Sequence, residues 1–124
     1  MVCVLLIDDD DDLRDDLAGI LSDSGYRVLA VADGNAGLAK LSECPDLLIT
    51  DLVMAGMEGI ETIREIRRRA PGMPIIAMSG NAIYLNHSTR LGADTGLLKP
   101  FTKKQLLAAV EGVLADALIQ PQAD

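Results

Sequence analysis

Five short apolar runs alternate along the chain with five stretches in which apolar residues recur at helical spacing. The first run, VCVLLI (Val2 to Ile7), is continuous and partly β-branched, which predicts a strand covered on both faces as in a parallel sheet. Leu13, Leu17, Ile20, Leu21 and Ser24 then recur at helical spacing, and Gly25 stands where a left-handed cap stops a helix. YRVLAVA (Tyr26 to Ala32) predicts a second strand. Gly34 to Cys44, with Leu38 and Leu41 inward, predicts a second helix ended by Pro45. DLLIT (Asp46 to Thr50) is the third strand. Ile60, Ile63 and Ile66 mark the inner face of a third helix, with Arg64, Arg67 and Arg68 on a solvated face and Pro71-Gly72 closing it. MPIIAMS (Met73 to Ser79) is the fourth strand. Asn81 to Leu91 predicts a short helix although Asn86, His87, Ser88 and Thr89 form helices weakly. Thr95 to Lys99 is the fifth strand, followed by an amphipathic helix carrying Leu106, Leu107, Val110, Val113, Leu114 and Leu118. This alternation implies a doubly wound parallel α/β sheet with right-handed crossovers. Such sheets bind ligands outside the carboxyl ends of their strands, where strand order reverses.

The polar residues at those strand ends carry the candidate chemistry. The first strand runs into five consecutive aspartates, Asp8 to Asp12; the third ends at Thr50-Asp51, the fourth at Ser79-Gly80 and the fifth at Lys99-Pro100. Asp8, Asp9 and Asp51 would then meet at one edge, and crowded carboxylates favour a hard divalent cation such as Mg2+. A nearby lysine suits a second anion, and a hydroxyl can bond one of its oxygens. Together these groups describe a phosphoryl-transfer site in which a carboxylate is the nucleophile. Asp10, Asp11 and Asp12 fall where a helix begins, so Asp10 is expected to cap it and the next two to face the positive end of its dipole. His87 is the sole histidine and is read as a surface residue.

The ordered motifs LLIDDDxxxR (with Arg14), SGYRV, ADGNAGL, CPDLLITD, MxGMEG, IIAMSG and LLKPF cover nearly the whole chain. In this order and spacing they resemble the receiver domains of two-component response regulators. The resemblance implies a flavodoxin-like (βα)5 fold with strand order 2-1-3-4-5. It further implies that Asp51 accepts the phosphoryl group, that Asp8 and Asp9 form the acidic pair of a Mg2+ (or Mn2+) site, and that Lys99 bonds the phosphoryl group. Ser79 would be the switch hydroxyl, the Val53 main-chain carbonyl a further metal ligand, and Lys99-Pro100 a candidate cis peptide. The implied donor is a histidine kinase or a histidine phosphotransfer protein, and the implied output is a downstream partner or an effector domain outside this chain. The protein would be a phosphoacceptor with slow self-dephosphorylation rather than an enzyme. The sequence departs from the family at Ala55 after Met54, at Glu58 before Gly59, and at Gly96, where an aromatic residue usually reports phosphorylation. The segment between Ser79 and Lys99 is also about two residues short of the common spacing.

Two other functions compete for the acidic run. An EF-hand loop beginning at Asp8 fails, because its sixth place is Leu13 rather than Gly and its twelfth is Gly19 rather than Glu. A haloacid-dehalogenase-type phosphatase would use Asp8 as nucleophile in Asp8-x-Asp10, but that reading leaves Asp51 and the GMEG loop without a role. A receiver-like interaction module with phosphorylation-independent output is suggested by Gly96. The 124 residues fit one domain, residues 1–119, with 120–124 a polar tail or the start of a linker. A net charge of -8 leaves no general basic surface for nucleic acid. Cys3 and Cys44 have no metal-ligand or redox spacing and are expected as buried or semi-buried free thiols of a reducing cytosol. No run reaches the roughly 18 apolar residues of a membrane span, so a cytoplasmic protein is expected.

Overall fold

The computed structural model describes residues 1–53 and 58–119. Its elements are β1 (Cys3–Ile7), α1 (Asp11–Asp23), β2 (Arg27–Val31), α2 (Gly34–Ala39), β3 (Leu47–Asp51), α3 (Glu58–Arg69), β4 (Ile75–Ser79), α4 (Ala82–Arg90), β5 (Thr95–Leu98) and α5 (Lys103–Ile119). The strands form one parallel sheet in the order β2-β1-β3-β4-β5, the order implied by the family resemblance. Strand limits move by one or two residues from the apolar runs. The second helix is shorter than expected: α2 ends at Ala39, and a separate 3-10 turn covers Lys40–Glu43. The expectations for Met54 and Ala55, for the side chains of Glu58 and Leu118 and for residues 120–124 lie outside what is described.

Alternation along β1 divides the core. Val4 and Leu6 face one layer with Leu17 and Leu21 of α1 and Leu106, Val110 and Val113 of α5. Leu5 and Ile7 face the other, with Ile60, Ile63 and Ile66 of α3. The central strands β1, β3 and β4 are buried along their whole length, whereas the edge strands β2 and β5 are partly exposed. Each fully buried Leu or Ile contributes roughly 1.5 to 3 kcal/mol relative to exposure, so the sheet is a rigid platform for its ends.

Local signals explain the helix limits. Asp10 caps α1, its carboxylate accepting the Leu13 N–H at 3.1 Å, with Asp11 and Asp12 in the first turn as expected. Gly25, at φ +97°, provides the left-handed residue after the C-terminus. The weakly helical stretch after β4 does form α4, because the Asn81 side chain accepts from both Ile83 N–H and Tyr84 N–H. Lys99-Pro100 is cis.

Two expectations are corrected. Cys3 is a buried free thiol whose pKa is pushed up mainly by burial, but Cys44 is exposed, because it occupies a left-handed turn (φ 54°) ahead of Pro45. Arg64 and Arg68 are solvated, whereas Arg67 is folded back onto main chain. Its guanidinium donates to the carbonyls of Pro71 (2.7 Å), Met73 (2.8 Å) and Gly92 (2.6 Å), and pairs with Asp94 at 3.2 Å. Asp94 in turn accepts the Ile75 N–H at 2.7 Å, so one cluster ties the entrances of β4 and β5 to the end of α3. Arg67→Ala is expected to lower unfolding stability in urea by about 2 kcal/mol, since hydrogen bonds from a charged donor to partly buried acceptors are lost. Arg67→Lys should recover only part of this, because an ammonium lacks the planar fork that spans several carbonyls.

Candidate functional site

The parallel register of β1 and β3 sets Ile7 opposite Thr50, so Asp8 and Asp51 emerge side by side where two apolar strands stop. Asp8 is fully buried and Asp51 is 6% exposed, while Asp9, next along the turn, is exposed. One carboxylate oxygen from each of the three lies within 4.8 Å of the others. The position of Asp51 also depends on α3: a Cβ on Gly59 would press on the Asp51 carbonyl and stand 2.6 Å from Leu52 Cα, so only glycine lets that helix start so close to the strand end.

Lys99 arrives from the end of β5. Its Nζ is 3.2 Å from Asp8 Oδ2 and 3.4 Å from Asp51 Oδ2. The other Asp8 oxygen accepts the Asp10 N–H at 2.9 Å, and Asp51 Oδ1 accepts the Val53 N–H at 3.3 Å. Burial raises the Asp51 pKa, the Lys99 ammonium opposes that shift, the Asp8 charge adds to it and the Val53 N–H again opposes it. Lys99 and the amide therefore do not fully offset desolvation and the neighbouring carboxylate. Three carboxylates around one ammonium leave an excess of negative charge, and their all-oxygen donor set fits a hard divalent cation.

The structure thus brings together Asp8, Asp9, Asp51 and Lys99. Ser79 ends β4 one residue beyond Met78, which pairs with Asp51, and it is buried. Its Oγ accepts the Asn81 N–H at 3.0 Å rather than donating to a carboxylate. Val53 is 55% exposed and contributes its N–H to Asp51. Gly96 lies on exposed β5 with the Leu85 side chain of α4 against it, 3.1 Å from where a Cβ would sit. Arg14, part of the LLIDDDxxxR motif, has a role that the motif alone does not reveal. Its guanidinium donates to the Asp8 carbonyl at 2.8 Å and pairs with Asp11 at 2.7 Å. The available signal was its place one turn into the helix that starts beside the acidic pair.

Comparison with known proteins agrees with this geometry. The family model described as response regulator receiver domain matches residues 4–111. The transcriptional regulatory protein CpxR of Klebsiella pneumoniae is 35% identical over 113 residues, covering 90% of this chain and 48% of that protein. The chain spans about half the length of the curated relatives it matches. Among solved structures, a receiver domain protein from Methanospirillum hungatei superposes with a TM-score of 0.88 at 29% identity, covering 94% of this chain and 96% of that one. The receiver domain of NtrX from Brucella abortus gives 0.85 at 31% identity, covering 90% and 98%. With a match across most of its length and the acidic edge in place, the chain belongs to the response regulator receiver domain family.

Proposed function

We propose that this chain is a phosphorylation-controlled switch in which Asp51 is the phosphoacceptor. The observation that carries the reading is the Asp51 carboxylate at the carboxyl edge of the sheet, next to Asp8 and Asp9 and with Lys99 on one oxygen. The donor is a phosphohistidine of a histidine kinase or histidine phosphotransfer protein in the cytoplasm. An Asp51 oxygen attacks phosphorus, the N–P bond breaks, and the imidazole leaves with its electron pair. Later attack by water on the acyl phosphate returns the carboxylate and releases inorganic phosphate, so the protein is a phosphoacceptor with slow self-dephosphorylation rather than an enzyme.

Asp8, Asp9 and Asp51 are the residues that would hold Mg2+ or Mn2+, with the Val53 carbonyl as a further ligand. A bound divalent ion supplies charge stabilisation to the transferring oxygens. Lys99 supplies a second positive charge and can follow a phosphoryl oxygen on Asp51. Ser79, on the neighbouring strand end, accepts from the Asn81 N–H and would donate its own hydroxyl proton to that oxygen. The added charge and acceptor oxygens then bias a surface read by a downstream partner or an effector domain outside these residues. Asp8 is a poor rival nucleophile, because it is fully buried, whereas Asp51 keeps some exposure at the edge of the sheet.

Incubation with Mg2+ and a small acyl-phosphate donor should add one phosphoryl mass to the wild type and none to Asp51→Asn. An adduct that persists in Asp51→Asn and vanishes in Asp8→Asn would overturn the assignment.

The raised Asp51 pKa also predicts a pH effect. The native state holds this proton more tightly than the unfolded chain, so the penalty is absent below the ordinary value of 3.8 and grows as pH rises through the folded-state value. In metal-free buffer at pH 7, Asp51→Asn should therefore melt a few degrees above the wild type, and the gap should close as pH falls below 4. Equal melting temperatures at pH 7 would show that burial of this charge costs nothing.

A further inference from the structure

We infer that Arg14 is a positioning residue for the cation site, acting through the peptide that joins Asp8 to Asp9. The inference rests on the metal-site reading above. Asp8 is held at every polar atom. Its N–H donates to the Val31 carbonyl at 3.2 Å, Oδ1 accepts from Asp10 N–H, Oδ2 accepts from Lys99, and its carbonyl accepts from Arg14 Nη1 at 2.8 Å. The last of these bonds differs in consequence. The Asp8 carbonyl belongs to the same planar peptide unit as the Asp9 N–H, so turning that plane changes Asp8 ψ and Asp9 φ together. Arg14 therefore sets the direction in which Asp9 leaves the turn.

Asp9 depends on this tie more than its neighbours do. Asp8 is fixed by its own side-chain bonds and Asp10 by the helix cap it makes, whereas the Asp9 carboxylate has no hydrogen bond to another described residue. Its approach to Asp8 and Asp51 is thus a property of the main chain. Arg14 can act as a fixed anchor because it is itself held. Its own N–H donates to the Asp10 carbonyl at 2.9 Å, its second guanidinium nitrogen pairs with Asp11 at 2.7 Å, and its side chain is only 17% exposed. A planar guanidinium places its two donors in fixed relation, one on the carbonyl and one on the carboxylate.

Positioning and simple electrostatics make opposite predictions. Arg14 is a cation beside a cation site, so if only its charge mattered, neutralising it would tighten Mg2+ binding. If it orients Asp9, removing it weakens binding despite the lost repulsion. Groups that orient metal ligands typically change metal affinity about ten- to a hundredfold when removed.

The test is Mg2+ affinity of the unphosphorylated full chain, measured by isothermal titration and by the Mg2+-dependent shift in melting temperature at fixed salt. Arg14→Ala should weaken Mg2+ binding about tenfold or more, and Arg14→Lys, which keeps one donor, should recover part of the loss. Asp11→Ala frees the anchored guanidinium and should weaken binding more than Asp12→Ala, which removes the same charge from the same helical turn without touching Arg14. This pair keeps the test valid if Arg14→Ala unfolds. Unchanged or tighter binding in folded Arg14→Ala, or equal effects of the two aspartate variants, would overturn the positioning role while the metal site stands. A wild type that does not respond to Mg2+, with Asp9→Asn behaving identically, would overturn the metal site and this inference together.

Discussion

The position of the Lys99 ammonium, within 3.4 Å of two carboxylates that lie almost wholly out of water, organises the acidic edge of this protein. Burying two like charges side by side is unfavourable unless a cation and hydrogen bonds offset it. Here one lysine and two main-chain amides share that task, and the elevated proton affinity of Asp51 shows that the compensation is incomplete. Strand order dictates which residue type can serve. Asp8 and Asp51 sit on adjacent strands, but β5 is two strands from β3, so roughly 10 Å must be crossed in the plane of the sheet. A long, flexible side chain at the end of β5 meets that demand, and a short one at the end of β4 suffices for a residue such as Ser79.

The site lies at the edge because the rest of the sheet has no room for it. β1 is buried on both faces, with Val4 and Leu6 in one apolar layer and Leu5 and Ile7 in the other. An ionised group anywhere along those five residues would be stranded in hydrocarbon. At Asp8 the strand ends, and the chain can supply the turn amides and the lysine that a carboxylate requires. The run of five aspartates therefore contains two physically different devices: Asp8 and Asp9 belong to the edge, while Asp10 to Asp12 belong to the start of α1.

How much of this was legible in the sequence depends on whether an interaction leaves a pattern along the chain. Alternating apolar runs and helical spacing are local, so all five strands and five helices could be read, as could the meeting of Asp8, Asp9, Asp51 and Lys99 at strand ends. Ties from side chains to distant main chain leave no such trace. Arg67 looks like its neighbours Arg64 and Arg68, yet it alone turns back onto the carbonyls of Pro71, Met73 and Gly92. Cys44 stands just ahead of the apolar run of β3, but it occupies a left-handed turn before Pro45 and is exposed. The helix after β4 was obscured by poor helix formers and is rescued by the Asn81 cap, a signal carried by one residue.

The same cap bears on how a change at Asp51 reaches the surface. Gly96 has no side chain to rotate, and the space beside it is taken by Leu85 of α4. Two sets of hydrogen bonds meet at Asn81 nevertheless: Ser79 Oγ accepts its N–H, and its Oδ1 holds the amides of Ile83 and Tyr84 in the first turn of α4. Both of those residues expose apolar side chains, as does Leu98 on the adjoining strand. A shift of the Ser79 hydroxyl toward Asp51 would pull on the Asn81 N–H that it accepts, and so on the cap of α4. The bonds that link Ser79 to the start of α4 are each between a side chain and main chain, and they end beside the exposed Ile83 and Tyr84.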